Sequence, residues 1–132
     1  MPNHLHLIVN SNEPYQLKDT IRDFKRHTSR TCFNYIQENS GLFDGQMIET
    51  FINQGELALK NKTIKFWQVG NHAVELYSER FSWRKIEYIH QNPVKAGLVN
   101  KPEKWKYSSA TNYAEMDSVL PEVIRVNPPL NF

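Results

Sequence analysis

The arrangement of apolar and polar positions divides the chain into a few segments. Residues 4–10 (HLHLIVN) are apolar and β-compatible, and Ser11 and Asn12 stop the run, which predicts a strand. Leu17, Ile21, Phe24, Thr28, Cys32 and Tyr35 then recur at helical spacing. Asn12 or Glu13 followed by Pro14 suits the start of that helix, and Gly41 suits its stop. A weaker helix is expected over 46–59, carrying Met47, Ile48, Phe51 and Ile52, with Gly55 weakening its second half. Residues 63–68 (TIKFWQ) and 73–77 (AVELY) predict two short strands around Gly70 and Asn71. Ser78 is placed to cap a helix running to Gln91, which Pro93 then ends. Gly97 predicts a turn, 101–113 is irregular with Trp105, Tyr107 and Tyr113, and the proline-bearing stretch from Pro121 onward is expected to run extended.

Composition narrows the class. At 132 residues, 23% charged and 39% hydrophobic, the chain suits one modest globular core. It has no apolar run near the roughly 18 residues of a membrane span, and no signal-peptide pattern follows Met1. A cytoplasmic location without membrane association is the expectation. The single cysteine, Cys32, excludes an internal disulfide and a multi-cysteine zinc site. A formal net charge of +2 permits nucleic-acid binding without arguing for it, so any electrostatic footprint has to come from local clustering.

Two short segments carry candidate chemistry. In a strand, positions i and i+2 share a face, so His4 and His6 would project together with Leu5 turned inward, a geometry suited to one divalent metal. Alone, two alternate histidines are more often an exposed strand face than a metal site. In the stretch Tyr88-Ile89-His90-Gln91-Asn92-Pro93, Tyr88 and Asn92 stand one helical turn apart, with Phe81 and Lys85 on the same stripe. Ile86, Ile89 and His90 fall on a different face. An amide oxygen is a hard ligand that can complete a magnesium or manganese site begun by two imidazoles. Alone, the segment reads first as an ordinary half-buried tyrosine with Asn92 as a helix C-cap before proline.

Taken in order, PNHLHLIV, then FWQ and NHAVEL, then YIHQNPVKAGLV and WKYSS resemble the REP-associated tyrosine transposases, relatives of the small insertion-sequence transposases of the HUH class. The resemblance covers Met1 to about Tyr113. It implies an α+β fold, a ferredoxin-like antiparallel sheet with helices packed on one face, over residues 1–113, followed by an extended tail over 114–132. Family members carry a further strand and helix ahead of the His-hydrophobic-His strand. This chain is therefore expected to lack its first strand and helix, and a homodimer is one way to complete the sheet. The resemblance further implies metal ligands His4, His6 and Asn92, a nucleophile Tyr88, and Mg2+ or Mn2+ as the cation. The implied activity is cutting and rejoining single-stranded or hairpin DNA through a 5′-phosphotyrosine. Tyrosine ionises only near about pH 10 in water, so such a nucleophile needs an activated phosphate.

Arg22, Lys25, Arg26 and Arg30, with Lys18, fall opposite the Leu17-Ile21-Phe24 stripe, and Phe33 lies among them by helical angle. Basic residues with an aromatic suit a single-strand path, although a solvated helix face has the same appearance and Asp19 and Asp23 dilute the charge. His72 and Lys85 are further candidates for DNA contact, while Trp67 suits the core better than a base contact. The alternative function is a catalytically inactive nucleic-acid-binding remnant of the same fold. A zinc hydrolase using His4, His6 and a carboxylate lacks an HExxH pattern and leaves Tyr88 without a role.

Overall fold

A computed structural model describes residues 4–42, 45–46, 49 and 66–130. Most of the expected helix over 46–59 and half of the expected strand over 63–68 lie outside the described residues. The chain divides into two compact units, Val9–His72 and a discontinuous unit of Met1–Ile8 with Ala73–Phe132.

The first unit is built on α1 (Leu17–Glu38). It starts a turn later than Pro14 suggests. Asn12 first forms a turn, its carbonyl accepting from the Tyr15 amide at 3.0 Å, and Gln16 then precedes the first helical residue. At the other end both the backbone amide and the side-chain Nδ2 of Asn39 donate to the Tyr35 carbonyl, which closes the last turn before a short 3-10 helix at Ser40–Leu42. Phe33 and Ile36 are the buried side chains of α1. Phe33 was expected on the basic face and Phe24 and Tyr35 in the core, yet Phe24 and Tyr35 are exposed. The covered side runs through Lys25, Ser29, Phe33 and Ile36, rotated by roughly a quarter turn from the expected stripe. Trp67 is half-buried beside it, donating its indole N–H to Thr28 Oγ1 at 2.9 Å, with its ring 6.0 Å from that of Phe24.

The second unit centres on α2 (Glu79–Lys95). Ser78 caps it, its hydroxyl accepting from the Phe81 amide at 3.2 Å. The helix does not end before Pro93 but runs through it, with Pro93 itself buried. A proline inside a helix forfeits the single bond its own N–H would make to the carbonyl four residues back, here that of Ile89. Burial of the ring and regular bonding downstream offset that loss. The helix ends two residues further on in a Schellman arrangement. Gly97 adopts φ +69°, the Leu98 amide donates to the Pro93 carbonyl at 3.0 Å, and the Gly97 amide to that of Val94 at 2.9 Å.

A 3-10 turn at Pro102–Lys104 packs against both α2 and α3 (Ala110–Tyr113). Ile86, Pro93, Ser108, Ala110 and Thr111 are buried here, and the ring of Tyr113 lies 5.6 Å from that of Trp83 and 5.3 Å from that of His90. The stretch after Tyr113 is folded back by specific bonds. Asn112 Nδ2 donates to the Leu120 carbonyl at 2.8 Å, and the Val126 amide donates to the Tyr113 hydroxyl at 2.9 Å.

The expected ferredoxin-like antiparallel sheet is not present: the described residues are helical or irregular, with no strand among them. Residues 4–10 and 73–77, both predicted as strands, carry no ladder bonds to each other or to any other described segment. The sequence pattern reports only that a segment tolerates an extended backbone. A strand also needs a neighbour whose N–H and C=O groups meet its own, and local composition does not specify that neighbour.

Candidate functional site

The rings of His4 and His6 come together with that of Tyr88 within the second unit. The imidazole centroids of His4 and His6 are 5.0 Å apart and nearly perpendicular, so the two side chains lie on one side of the chain even though their segment pairs with no strand. The Tyr88 ring sits edge-on to His6 with centroids 6.1 Å apart. Tyr88 is 50% exposed on α2. Desolvation depresses the His6 pKa below the usual 6.5, and the charge of neighbouring His4 pushes it the same way. A neutral imidazole with a free lone pair is the form a metal requires.

Asn92 follows Tyr88 by one turn on the same stripe of α2. Its Nδ2 is buried and has no hydrogen-bond partner. An orphaned buried amide group costs about 1–3 kcal/mol, so its persistence needs a reason. Turning the amide over leaves its shape unchanged and puts the carbonyl oxygen at that same buried position. An oxygen there would be a hard donor with no protein partner to satisfy. Two imidazoles and an amide oxygen suit a cation such as Mn2+ or Mg2+, and the residues present fit that group in donor chemistry. The described residues contain no cluster of three or more His, Cys, Asp and Glu side chains that could hold a metal.

Tyr88 also has cationic neighbours. The ammonium of Lys85 lies 5.8 Å from its ring centroid and that of Lys95 5.6 Å. Lys85 also stands 5.2 Å from the centroid of Phe81, whose ring stacks on Tyr77 at 4.7 Å and an interplanar angle of 14°. Lys95 did not emerge from the sequence because Pro93 was expected to end the helix. Once α2 continues, Lys95 falls seven residues after Tyr88 on the same face, and that spacing was the available signal.

The basic face of α1 is engaged differently from what its spacing suggests. Arg22 is bound to Asp19 and to Asp23, and Arg26 lies 3.9 Å from Asp23. Lys25 donates to the backbone carbonyls of Gly70 at 2.9 Å and Gln68 at 3.4 Å. Three of the four expected DNA-contacting cations on α1 therefore already have partners, and the guanidinium of Arg30 remains on an exposed residue. His72 is exposed in the segment after Gly70.

The opposite face of α2 has separate chemistry. His90 Nε2 and Ser109 Oγ share a hydrogen bond at 2.9 Å, and burial holds the His90 imidazole below its usual pKa of 6.5. An open hollow of about 480 Å³ lies there, with Glu87, His90, Glu103 and Tyr113 in its lining. The His90–Ser109 bond ties α2 to the segment that enters α3.

No protein-family model matches this chain, and no curated protein or solved structure matches it either. No helix among the described residues is long and apolar enough to cross a membrane.

Proposed function

We propose that this chain cuts and rejoins single-stranded DNA through Tyr88, in a reaction dependent on Mg2+ or Mn2+, as the resemblance to the REP-associated tyrosine transposases implies. The observation that carries this reading is the meeting of the His4 and His6 rings with that of an exposed Tyr88, residues far apart in sequence. The reading rests on that cluster and makes no use of a sheet.

His4, His6 and Asn92 would hold the cation, which supplies charge neutralisation at a non-bridging phosphate oxygen and orients the scissile phosphate. The Tyr88 Oη attacks the phosphorus, giving up its proton to solvent. The bond to the 3′ oxygen breaks, and that oxygen takes up a proton to leave as a 3′-hydroxyl. The 5′ end remains joined to Tyr88 as a phosphodiester. Because the new bond keeps the energy of the old one, a different 3′-hydroxyl can attack it and free the tyrosine, which completes strand transfer.

A hairpin-bearing single strand incubated with the protein and Mn2+ should give a covalent adduct that survives denaturant. Tyr88→Phe removes only the nucleophilic oxygen and should abolish the adduct with the melting temperature unchanged. An undiminished adduct in that variant would move the nucleophile to another residue, with Tyr77 and Tyr107 the next to test. The alternative reading, a nucleic-acid-binding chain without catalysis, is favoured by the exposure of His4 and the partial exposure of His6, a looser hold than a buried metal centre provides. Strand binding by the native chain with no adduct under any divalent cation would decide for it.

A further inference from the structure

The stripe of α2 that contains Tyr88 combines aromatic rings with cations, with Arg84, Tyr88 and Lys95 exposed and Phe81, Lys85 and Asn92 half-buried. At 100° per residue, Phe81, Arg84, Lys85, Tyr88, Asn92 and Lys95 fall within about a third of the helix circumference. Tyr77 extends the row beyond the helix start through its stack on Phe81. There is no acid in this row: Glu79 of α2 lies on the other side of the helix and Glu87 on its flank. Among the described residues, none of Arg84, Lys85 and Lys95 is paired with a carboxylate, in contrast to Arg22 and Arg26 on α1. The cations instead lean on the aromatic rings. Arg84 and Lys85 both lie over Phe81, and Lys85 and Lys95 both lie over Tyr88. Tyr77 is 75% exposed. From Phe81 to Lys95 the row is about 20 Å long at about 1.5 Å per residue, room for a few nucleotides.

We infer that this stripe is the track on which a DNA single strand lies, its bases stacking on Tyr77 and Phe81 and its phosphates held by Arg84, Lys85 and Lys95 so that one of them is delivered to Tyr88. Aromatic rings interspersed with cations that no carboxylate pairs suit the bases and phosphates of a single strand, and every base has a π-face, so the track is indifferent to sequence. A duplex hides its base faces and would leave the rings unused. The commitment to DNA rests on the proposed reaction at Tyr88; the track itself rests on the stripe. The strand path therefore lies on α2, and not on α1 where the spacing of basic residues first suggested it.

The test is fluorescence anisotropy of the full chain with a labelled oligodeoxythymidine of about twenty nucleotides, in chelator so that binding is read without reaction. Arg84→Gln with Lys95→Gln should weaken binding at least tenfold and make the logarithmic salt dependence shallower by about 1.4, since each single-strand phosphate contact contributes about 0.7. Tyr77→Leu and Phe81→Leu should each weaken binding roughly tenfold and leave the salt dependence unchanged, because stacking releases no counterions. Tyr77 is outside the helix, so its replacement keeps the test valid if the Phe81 variant misfolds. Unchanged affinity and salt dependence in the charge variant, or loss of binding on removing Arg22, Arg26 and Arg30 instead, would overturn the track. Equal binding of the corresponding oligouridine, lost in the same variants, would overturn the commitment to DNA. A native chain that binds through the stripe but forms no adduct with Tyr88 would sink the proposed reaction and leave the track standing. An adduct formed by variants that bind normally would do the reverse.

Discussion

Replacing Asn92 with leucine separates what the residue does for stability from what it does for chemistry. Leucine has the same branching and the same number of side-chain heavy atoms as asparagine, and removes the amide altogether. The buried Nδ2 has no hydrogen-bond partner, and leaving such a group dry costs about 1–3 kcal/mol. Asparagine is also a poorer helix former than leucine by a few tenths of a kcal/mol. Both effects favour the variant. Because the residue as a whole is only partly buried, the lower end of the range applies, and Asn92→Leu should stabilise the protein by about 1 kcal/mol. For a chain of 132 residues that raises the melting temperature by about 3–6 °C. The measurement is a reversible melt in chelator, repeated with Mn2+. Ligand binding to the folded state stabilises by mass action, so Mn2+ should raise the melting temperature of the native chain and leave that of the variant where it was. Covalent DNA adduct formation should be lost in the variant. A melt below that of the native chain by more than a degree or two would show that the amide is well bonded, and would remove the argument that its site is kept for a cation. An equal response of both proteins to Mn2+ would take Asn92 out of the ligand set.

Three further outcomes follow from the geometry. Ser78→Ala removes the oxygen that accepts the Phe81 amide and should cost about 1 kcal/mol in urea unfolding, with Ser78→Thr largely restoring it; an unchanged midpoint would mean water replaces the cap without loss. Because burial depresses the His90 pKa in the folded state, the unfolded chain takes up its proton first as pH falls through about 6.5. Stability present above that value is therefore lost below it, until the folded imidazole also protonates, and His90→Gln should flatten this acid-side decline; an identical pH profile for the variant would refute the assignment. Mg2+ or Mn2+ should support adduct formation and Zn2+ should support it poorly, given an amide oxygen among the donors, so cleavage that persists after thorough chelation would rule out the cation's role.

The helices were largely legible in the sequence because their signals are local. Ser78 three residues ahead of the Phe81 amide, the apolar spacing of α1 and the positive φ of Gly97 all act within a turn or two of chain. Errors arose where tertiary packing decides. Phe33 is buried although its helical angle placed it among cations, because the covered side of a helix is set by what lies against it. Pro93 continues a helix it was expected to end because its burial compensates a missing bond. The absence of a sheet among the described residues was not foreseeable from residues 4–10 or 73–77, since β-compatibility says nothing of a pairing partner. At the candidate site, the spacing of His4 and His6 and of Tyr88 and Asn92 was visible in the sequence. The approach of His6 to Tyr88 was not a matter of spacing at all, and Lys95 was hidden behind the misplaced helix end.

Pro93 has a consequence for how α2 opens. With no amide proton at that position, the Ile89 carbonyl lacks its usual rung, and the break falls one turn beyond Tyr88. Amide protons on the two sides of the break can then exchange with solvent through separate local openings and need not wait for the helix to come apart as a whole. Tyr88 lies on the N-terminal side of the break, and Lys95, which leans on its ring, lies on the C-terminal side. A strand gripped by both would act as a splint across the gap, and its binding should slow deuterium uptake on both sides together.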